Sequence, residues 1–401
     1  MPHSLHINKK LEEINTVLDH FIRREDDPGL LSGYSGCALF YAYYYRLSGK
    51  QKHLRRLHQV LQKMTAALAE EELIASHCSG VAGIAWCLQH LTNQGFIERA
   101  EIDDAFEETD EMLSRYLQQE LEQQRYDFLH QGLGAALYFL ERPMNAAAGG
   151  ALATMVTQLE QAAITLDTGV SWKDQFVRKD NTEDHYNLGL AHGVPAILAI
   201  LGILYGKGIC VERTLPLLEK GVQWLLSTRN KPGVEAGSWF PTMVTGNNIA
   251  IGSPQSRLGW CYGDMGIAIT LWNIGVRLGK EAWKREAVDI LAHTLSHRDS
   301  RNGTVRDAGL CHGSMGIAHI YRRVYTGSGD ERLQAGTGKW LEQTFELGAW
   351  EDGPAGFKTH TLNGYINTFN LLEGVTGIGL ALMAALDEDA MPAWDRCLLL
   401  S

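Results

Sequence analysis

Residues 262–275 read YGDMGIAITLWNIG: a glycine, two further residues, a second glycine and then an apolar run. The same phrase begins at six other places along the chain, with its first position at residues 33, 80, 131, 193, 313 and 374. Two copies depart from the pattern, since Gln131 replaces the first glycine of one copy and Ala196 replaces the second glycine of another. Self-similarity at intervals of 47 to 70 residues predicts one supersecondary unit per copy.

The apolar runs and the segments between them differ in pattern. Each run is apolar on nearly all sides and 10–14 residues long, which favours a buried helix over a strand. The segments between the runs are amphipathic, as where Leu11, Ile14 and Leu18 follow at steps of three and four with charge between them. Seven alternations of a buried and an amphipathic helix predict an all-α fold, a double-layered ring in one domain spanning residues 1–401. We expect the seven inner helices to begin near Gly36, Gly83, Gly134, Ala196, Gly266, Gly316 and Gly377.

Composition and charge exclude several classes of protein. Apolar residues make up 45% of the 401 residues, which is enough for a buried core and rules out a disordered chain. The 36 basic and 47 acidic side chains give a net charge of −11, which argues against nucleic acid or an anionic membrane as the main partner. The N-terminus lacks the apolar core of a signal peptide, and the longest apolar run is too short to span a bilayer. We therefore expect a soluble, cytoplasmic protein.

Two neighbouring copies carry residues that helix packing does not require. Cys261 precedes the first glycine of copy five by two residues, and Cys311 and His312 directly precede that of copy six. The seven cysteines are too sparse for a disulfide framework. Two thiolates and one imidazole form the ligand set of a catalytic zinc site, whose fourth position stays open. Because a ring brings equivalent repeat positions together, these three residues are predicted zinc ligands.

Copies three and four offer acid–base groups. His192 stands within Gly-Leu-Ala-His-Gly at 189–193, at a step that matches Cys261 and His312 to within one residue. Asp127 lies four residues before Gln131. A lone histidine at such a place is more often a cap or a core residue, and a lone aspartate is more often an N-cap. In an inward-facing ring that holds a metal, both are candidates for general acid–base catalysis.

These motifs resemble one known family. Gly-Leu-Ala-His-Gly, Trp-Cys-Tyr-Gly-Asp at 260–264 and Leu-Cys-His-Gly-Ser-Met-Gly at 310–316 are similar to motifs of the lanthionine synthetase C-like (LanC) cyclases. The resemblance runs from about Leu31 to Leu386. It implies an α/α toroid of seven inner and seven outer helices with a zinc ion at one mouth. By motif match, the zinc ligands would be Cys261, Cys311 and His312, and the other active-site residues would be His192, Asp127 and Arg257.

The resemblance also implies a reaction. A cysteine thiol of a dehydrated precursor peptide, made of leader and core, adds to a dehydroalanine or dehydrobutyrine of the same peptide to form a thioether ring. His192 would then donate a proton to the α-carbon, and Asp127 would remove the thiol proton or orient His192. Arg257 would stabilise the enolate oxygen. The implied partner proteins are a dehydratase and an exporter, through which the protein would associate with a membrane.

Two other functions remain open at this point. One is a zinc-dependent transferase that adds a small thiol such as glutathione to dehydrated peptides. The other is a non-catalytic scaffold that binds a peptide and keeps zinc for structure. The sequence also leaves open whether His77, His130 and His185 line the site. The Gly/Asn/Pro-rich segment 230–256 precedes the metal motif, and such a long loop predicts a wall or lid of the substrate site.

Overall fold

The computed structural model of the chain describes residues 3–70, 72–99, 106–174, 184–231, 234, 237–386 and 391–401. Within these ranges the strands form three two-stranded antiparallel sheets, and nearly all other regular structure is helical. The strands are β1 (Ile164–Leu166), β2 (Gly169–Ser171), β3 (His185–Asn187), β4 (Met243–Thr245), β5 (Thr359–Thr361) and β6 (Gly364–Ile366). The described α-helices are α1 (Ser4–Ile22), α2 (Gly36–Ser48), α3 (Gln51–Glu70), α4 (Val81–Asn93), α5 (Phe106–Glu122), α6 (Leu133–Glu141), α7 (Ala146–Ala162), α8 (Val194–Gly206), α9 (Val211–Ser227), α10 (Asp264–Leu278), α11 (Glu281–His297), α12 (Ser314–Ser328), α13 (Glu331–Leu347) and α14 (Val375–Leu386).

The seven even-numbered helices contain the seven apolar runs, and the odd-numbered helices occupy the segments between them. Every residue of α4 from Val81 to Thr92 is buried, whereas α1 buries one face, which includes Ile7, Leu11 and Ile14. The alternation of buried and amphipathic helices is therefore as predicted. Along the described chain, no helix has both the length and the apolar character that a bilayer crossing requires.

Most of the buried helices begin one or two residues before the predicted position. α12, for example, begins at Ser314, two residues before Gly316. The reason is that the first glycine of the repeat, here Gly313, is the N-cap of the helix. The second glycine consequently lies inside the first helical turn. Only α2 begins at the predicted residue, Gly36.

Contacts divide the chain into two compact units. Unit 1 consists of residues 1–109 and 306–394, and unit 2 consists of residues 110–305 and 395–401. In unit 1, α2 packs on α3, α4 and α14, and α12 packs on α13 and α14. In unit 2, α8 packs on α6, α9 and α10, and α10 packs on α11. Each unit thus pairs a buried helix with the amphipathic helix that follows it. The single domain over residues 1–401 stays a prediction.

At Gly83 and Gly316, the second glycine of the repeat is required by a tight loop closure. A Cβ atom on Gly316 would lie 2.0 Å from the carbonyl oxygen of Leu310, six residues earlier. Gly83 and His77 show the same spacing and the same 2.0 Å distance. A side chain of any size would therefore collide with backbone that cannot move aside. The glycine closes the loop and fixes the residue after the crowded carbonyl, which is Cys311 in copy six.

Backbone hydrogen bonds join successive repeat loops at this same position. In unit 1, the Leu31 N–H donates to Cys78 O over 2.9 Å, and the Cys311 N–H donates to Leu372 O over 3.0 Å. In unit 2, the Ala191 N–H donates to Cys261 O over 3.3 Å. The backbone therefore sets the spacing of neighbouring loops, whatever side chains they carry.

Candidate active site

Asp127 and His192 form the central pair of a polar cluster in unit 2. Asp127 precedes α6, and His192 precedes Gly193, the N-cap of α8. The His192 Nδ1 lies 2.5 Å from Asp127 Oδ2, and the His130 backbone N–H donates to Asp127 Oδ1 over 2.7 Å. The Asp127 side chain has no exposed area, whereas a quarter of the His192 side chain, 25%, is exposed. Asp127 is therefore placed to orient His192, and His192 is placed to meet a substrate.

The carboxylate also changes the protonation of the imidazole. Burial alone would lower the pKa of His192, but the hydrogen bond to Asp127 and the negative charge of Asp127 raise it above its usual value. The charges of Cys261 and Asp174 act in the same direction. His192 is consequently more cationic at neutral pH than a free histidine.

Two further rings flank His192. The ring of His130 lies 5.8 Å from that of His192 between centroids, with 20° between the ring planes. The ring of Tyr262 lies at the same centroid distance, tilted by 35°. Tyr262 directly follows Cys261, so a continuous set of rings leads from His130 to the first predicted zinc ligand. Tyr262 was part of the motif that predicts Cys261, but the sequence alone gives it no separate role.

Asn187 holds the loop that carries His192. Its amide Oδ1 accepts the Gly189 N–H over 2.8 Å, and its Nδ2 donates to Asp174 Oδ2 over 3.0 Å. Burial raises the pKa of Tyr262, which a hydrogen bond with Asn187 partly offsets. Asn187 lies at the end of β3, which pairs with β4 from segment 230–256. The sequence gives no sign of this support, because hydrogen bonds of a single asparagine side chain leave no periodic pattern.

Segment 230–256, apart from residues 232, 233, 235 and 236, which lie outside the described residues, packs against the start of α10. The N–H groups of Trp239 and Phe240 donate to the two carboxylate oxygens of Asp264, each over 3.0 Å. Burial raises the pKa of Asp264 to about 6, although these two hydrogen bonds act to lower it. The segment is thus tied to the helix that follows Cys261. Its role as a wall or lid of a substrate site stays a prediction.

Cys311 and His312 lie together in unit 1. The Cys311 Sγ and a ring nitrogen of His312 are within 4.8 Å of one another, which suits two ligands of one ion. The His312 Nε2 lies 4.0 Å from Asp307 Oδ2, and Asp307 is buried. This distance is longer than a hydrogen bond, and the two Asp307 oxygens accept the N–H groups of Gly309 and His360.

Cys261 and Arg257 are the remaining predicted site residues. Cys261 is 4% exposed and lies in unit 2, so the predicted zinc set draws on both units and stays a prediction. The Arg257 side chain is exposed and, within the described ranges, forms no hydrogen bond or ion pair. Within the described residues, no hydrogen bond or ion pair joins Arg257 to Asp127 or His192. Its predicted role at the enolate oxygen stays a prediction.

The other histidines differ from one another. His77 and His185 are buried. His319 is buried too and stacks on Trp394 with 5.1 Å between ring centroids. His130, in contrast, is exposed and lies beside His192. Of the histidines that the sequence left open, His130 is therefore the one that lines the Asp127–His192 cluster.

Comparison with known proteins agrees with this fold. The family model of the lanthionine synthetase C-like proteins matches residues 24–399, and the chain belongs to this family. A solved structure titled "Nisin cyclase" superposes with a TM-score of 0.76 at 19% identity, over 98% of both chains. This match confirms the predicted all-α fold class. A sugar epimerase from a ruminal bacterium covers 96% of this chain at 9% identity, but its TM-score of 0.47 is too low to support an argument.

Proposed function

We propose that the chain is a zinc-dependent lanthipeptide cyclase. It adds cysteine thiols of a dehydrated precursor peptide to dehydroalanine or dehydrobutyrine in the same peptide, and the products are lanthionine and methyllanthionine rings. The observation that carries the proposal is the hydrogen bond between Asp127 and the partly exposed His192, beside the Tyr262 ring. Membership of the LanC-like family supports it.

The donor set fits zinc. Zinc in proteins binds thiolate sulfur and imidazole nitrogen, and both Cys261 and Cys311 are buried thiols at the same position of their repeats. His312 lies beside Cys311. We therefore assign Cys261, Cys311 and His312 as the protein ligands. When bound, zinc would supply an open position that holds the sulfur of the substrate as a nucleophilic thiolate.

The chain's own residues perform the proton chemistry. Asp127 holds Nδ1 of His192, so Nε2 is the nitrogen that exchanges a proton with the substrate. The raised pKa of His192 favours the imidazolium form, which donates the proton to the α-carbon. Because Asp127 is fully buried and both its oxygens accept hydrogen bonds, it acts by orienting His192. Arg257 supplies positive charge to the enolate oxygen.

A ring-closure assay tests the proposed function. The protein is incubated with a dehydrated precursor peptide and zinc, free thiols are then blocked, and the peptide is analysed by mass spectrometry. A cyclase leaves no blocked cysteine where a ring has closed. Added glutathione in a parallel reaction gives a mass increase if the protein is instead a thiol transferase. Unchanged peptide in both reactions favours the scaffold and contradicts the proposal.

Zinc content tests the ligands separately. The Cys261→Ala and Cys311→Ala variants should each lose the zinc that wild-type protein carries, with the fold largely kept. Cys78→Ala is the matched control, because Cys78 is buried at the same repeat position in copy two. Elemental analysis should find one zinc per chain in wild type and in Cys78→Ala. Full zinc in either of the other two variants would show that the ligands are misassigned.

A further inference from the structure

One position of the repeat carries most of the residues that can perform chemistry. The residue directly before the first position of the repeat is His130 in copy three, His192 in copy four, Tyr262 in copy five and His312 in copy six. The proposed function uses His192 and His312, and Tyr262 contacts His192. His130 is the member of this series to which nothing above assigns a role.

The arrangement around Asp127 requires a second group that can take up a proton. The Asp127 carboxylate is fully buried, and its two oxygens accept hydrogen bonds from His130 N–H and from His192. It therefore cannot reach a substrate thiol. His130 is exposed, and one of its ring nitrogens lies within 4.8 Å of a ring nitrogen of His192. An acid and a base that each contact the reacting atoms at about 3 Å can have this separation.

A metal ion shared by these three side chains does not fit the distances. Two ligand atoms of one tetrahedral ion, each about 2.0–2.2 Å from it, would lie about 3.4 Å apart. His192 Nδ1 and Asp127 Oδ2 lie 2.5 Å apart, which is too close for two ligands of one ion and is a hydrogen-bond contact. The cluster of Asp127, His130 and His192 is therefore built to hold protons.

We propose that His130 is a second acid–base group of the site and accepts the thiol proton of the attacking cysteine, while His192 protonates the α-carbon. This role rests on the proposed cyclase function. The S–H bond breaks as its proton passes to a ring nitrogen of His130, and the sulfur electron pair forms the bond to the β-carbon. The π electrons of the alkene move to the enolate oxygen, and return as His192 delivers a proton to the α-carbon. A proton then passes from His130 to His192, which restores both groups.

The surroundings of the two rings suit these opposite roles. Partial desolvation lowers the pKa of His130, and the neighbouring His192 lowers it further, with Asp127 opposing. The Tyr116 hydroxyl, from α5, contacts the His130 backbone carbonyl over 3.3 Å and not the ring. His130 is therefore neutral at a pH at which His192 is charged. Two groups whose pKa values are moved apart are the usual assignment of a base and an acid.

Substitution of His130 by glutamine tests the proposal. Glutamine cannot take up a proton, and the His130 backbone N–H that holds Asp127 is kept. We expect His130→Gln to close a dehydrobutyrine ring about 10²-fold more slowly at neutral pH, with zinc content and peptide affinity unchanged. His130→Glu restores a base and should recover at least tenfold over the glutamine variant. His58→Gln, at an exposed histidine on α3, is the control and should keep the wild-type rate.

The outcomes separate this role from the proposed function. A His130→Gln rate within twofold of wild type overturns the His130 role alone, and so does a glutamate variant that is no faster than the glutamine variant. Loss of zinc in His130→Gln would make His130 a metal ligand, which also overturns it. A wild-type protein that closes no ring contradicts the cyclase function and this role together. Imidazole NMR of the purified wild-type protein gives a readout independent of activity, since His130 must titrate at a lower pH than His192, and the reverse order overturns its role as the base.

Discussion

Replacement of Asp127 by asparagine should disable His192 without removing it. The carboxylate accepts two hydrogen bonds, from His130 N–H and from His192, but an amide has only one oxygen that accepts. If that oxygen stays with the His130 N–H, the amide nitrogen donates to His192 Nδ1 and places the ring proton on Nε2. The pKa of His192 also falls, because burial lowers it and the negative charge of Asp127, which raises it, is removed. We expect ring closure to slow by about 10²–10⁴-fold and unfolding to become easier by about 1–3 kcal/mol.

The pKa of His192 determines how stability and ring closure change with pH. The folded-state pKa of His192 is raised, so its contribution to stability is fully present below the unfolded pKa and is lost as pH rises through the folded pKa. Ring closure that needs the imidazolium falls over the same range. In Asp127→Asn this fall should occur at lower pH. The assay is the initial rate of dehydrobutyrine ring closure against pH, because dehydroalanine can react with a nearby thiol without a catalyst.

A second buried carboxylate provides the control. Asp110 accepts hydrogen bonds from Tyr138 and Arg142, which take no part in the proposed chemistry. Asp110→Asn should therefore lower the free energy of unfolding but leave the rate and pH profile of the folded protein unchanged. The reasoning is refuted if Asp127→Asn keeps its zinc, the wild-type rate and the wild-type pH profile.

Three other predictions concern stability. Gly316→Ala should destabilise the fold by about 1–3 kcal/mol in urea unfolding, because the new Cβ would lie 2.0 Å from Leu310 O. Gly338→Ala, within α13 and with no atom within 4 Å of its Cβ position, should instead stabilise by about 0.5–1 kcal/mol; equal effects would mean that loop closure does not require Gly316. Asp264 has its pKa raised to about 6 in the folded state, so the stability that it contributes falls as pH rises from about 4 to about 6. Asp264→Asn should remove that dependence, and an unchanged stability profile between these pH values would contradict the assignment.

Much of the fold follows from the repeat. Period and apolar pattern predict the alternation of buried and amphipathic helices, because each buried run lacks a polar face and must be covered on all sides. The helix starts are less accurate, since the sequence does not show that Gly313 is an N-cap and that Gly316 lies in the first turn. The sheets were not predicted. β3 and β4 pair His185 with Thr245, 60 residues later, and three-residue strands carry too little pattern to be recognised.

The sequence predicts which residues belong to the candidate site, because this depends on repeat position. It does not predict how their side chains are buried or oriented. Asp127 lies four residues before the first position of copy three and His192 one residue before that of copy four, so their repeat positions name both as candidates but do not predict the hydrogen bond between them. The choice between Asp127 as a base and as an orienting group needs burial, which only the structure provides. Arg257 is four residues before Cys261 in sequence, yet its side chain is exposed. Asn187 acts through Gly189 and Asp174, and such a contact leaves no mark in the sequence pattern.

The repeat separates the atoms that maintain the fold from those proposed to perform chemistry. Loop closure depends on glycine Cα atoms, as at Gly316, and neighbouring loops are joined by backbone groups, as between Ala191 and Cys261. The side chain directly before the first position of the repeat takes no part in either, since this place holds serine in copies one and two and histidine or tyrosine in copies three to six. Substitution of His130 should therefore change reaction rates far more than stability, whereas substitution of His192 also removes a hydrogen-bond partner of the buried Asp127. Activity losses in these variants can then be assigned to proton transfer, provided that their unfolding curves stay close to that of the wild type.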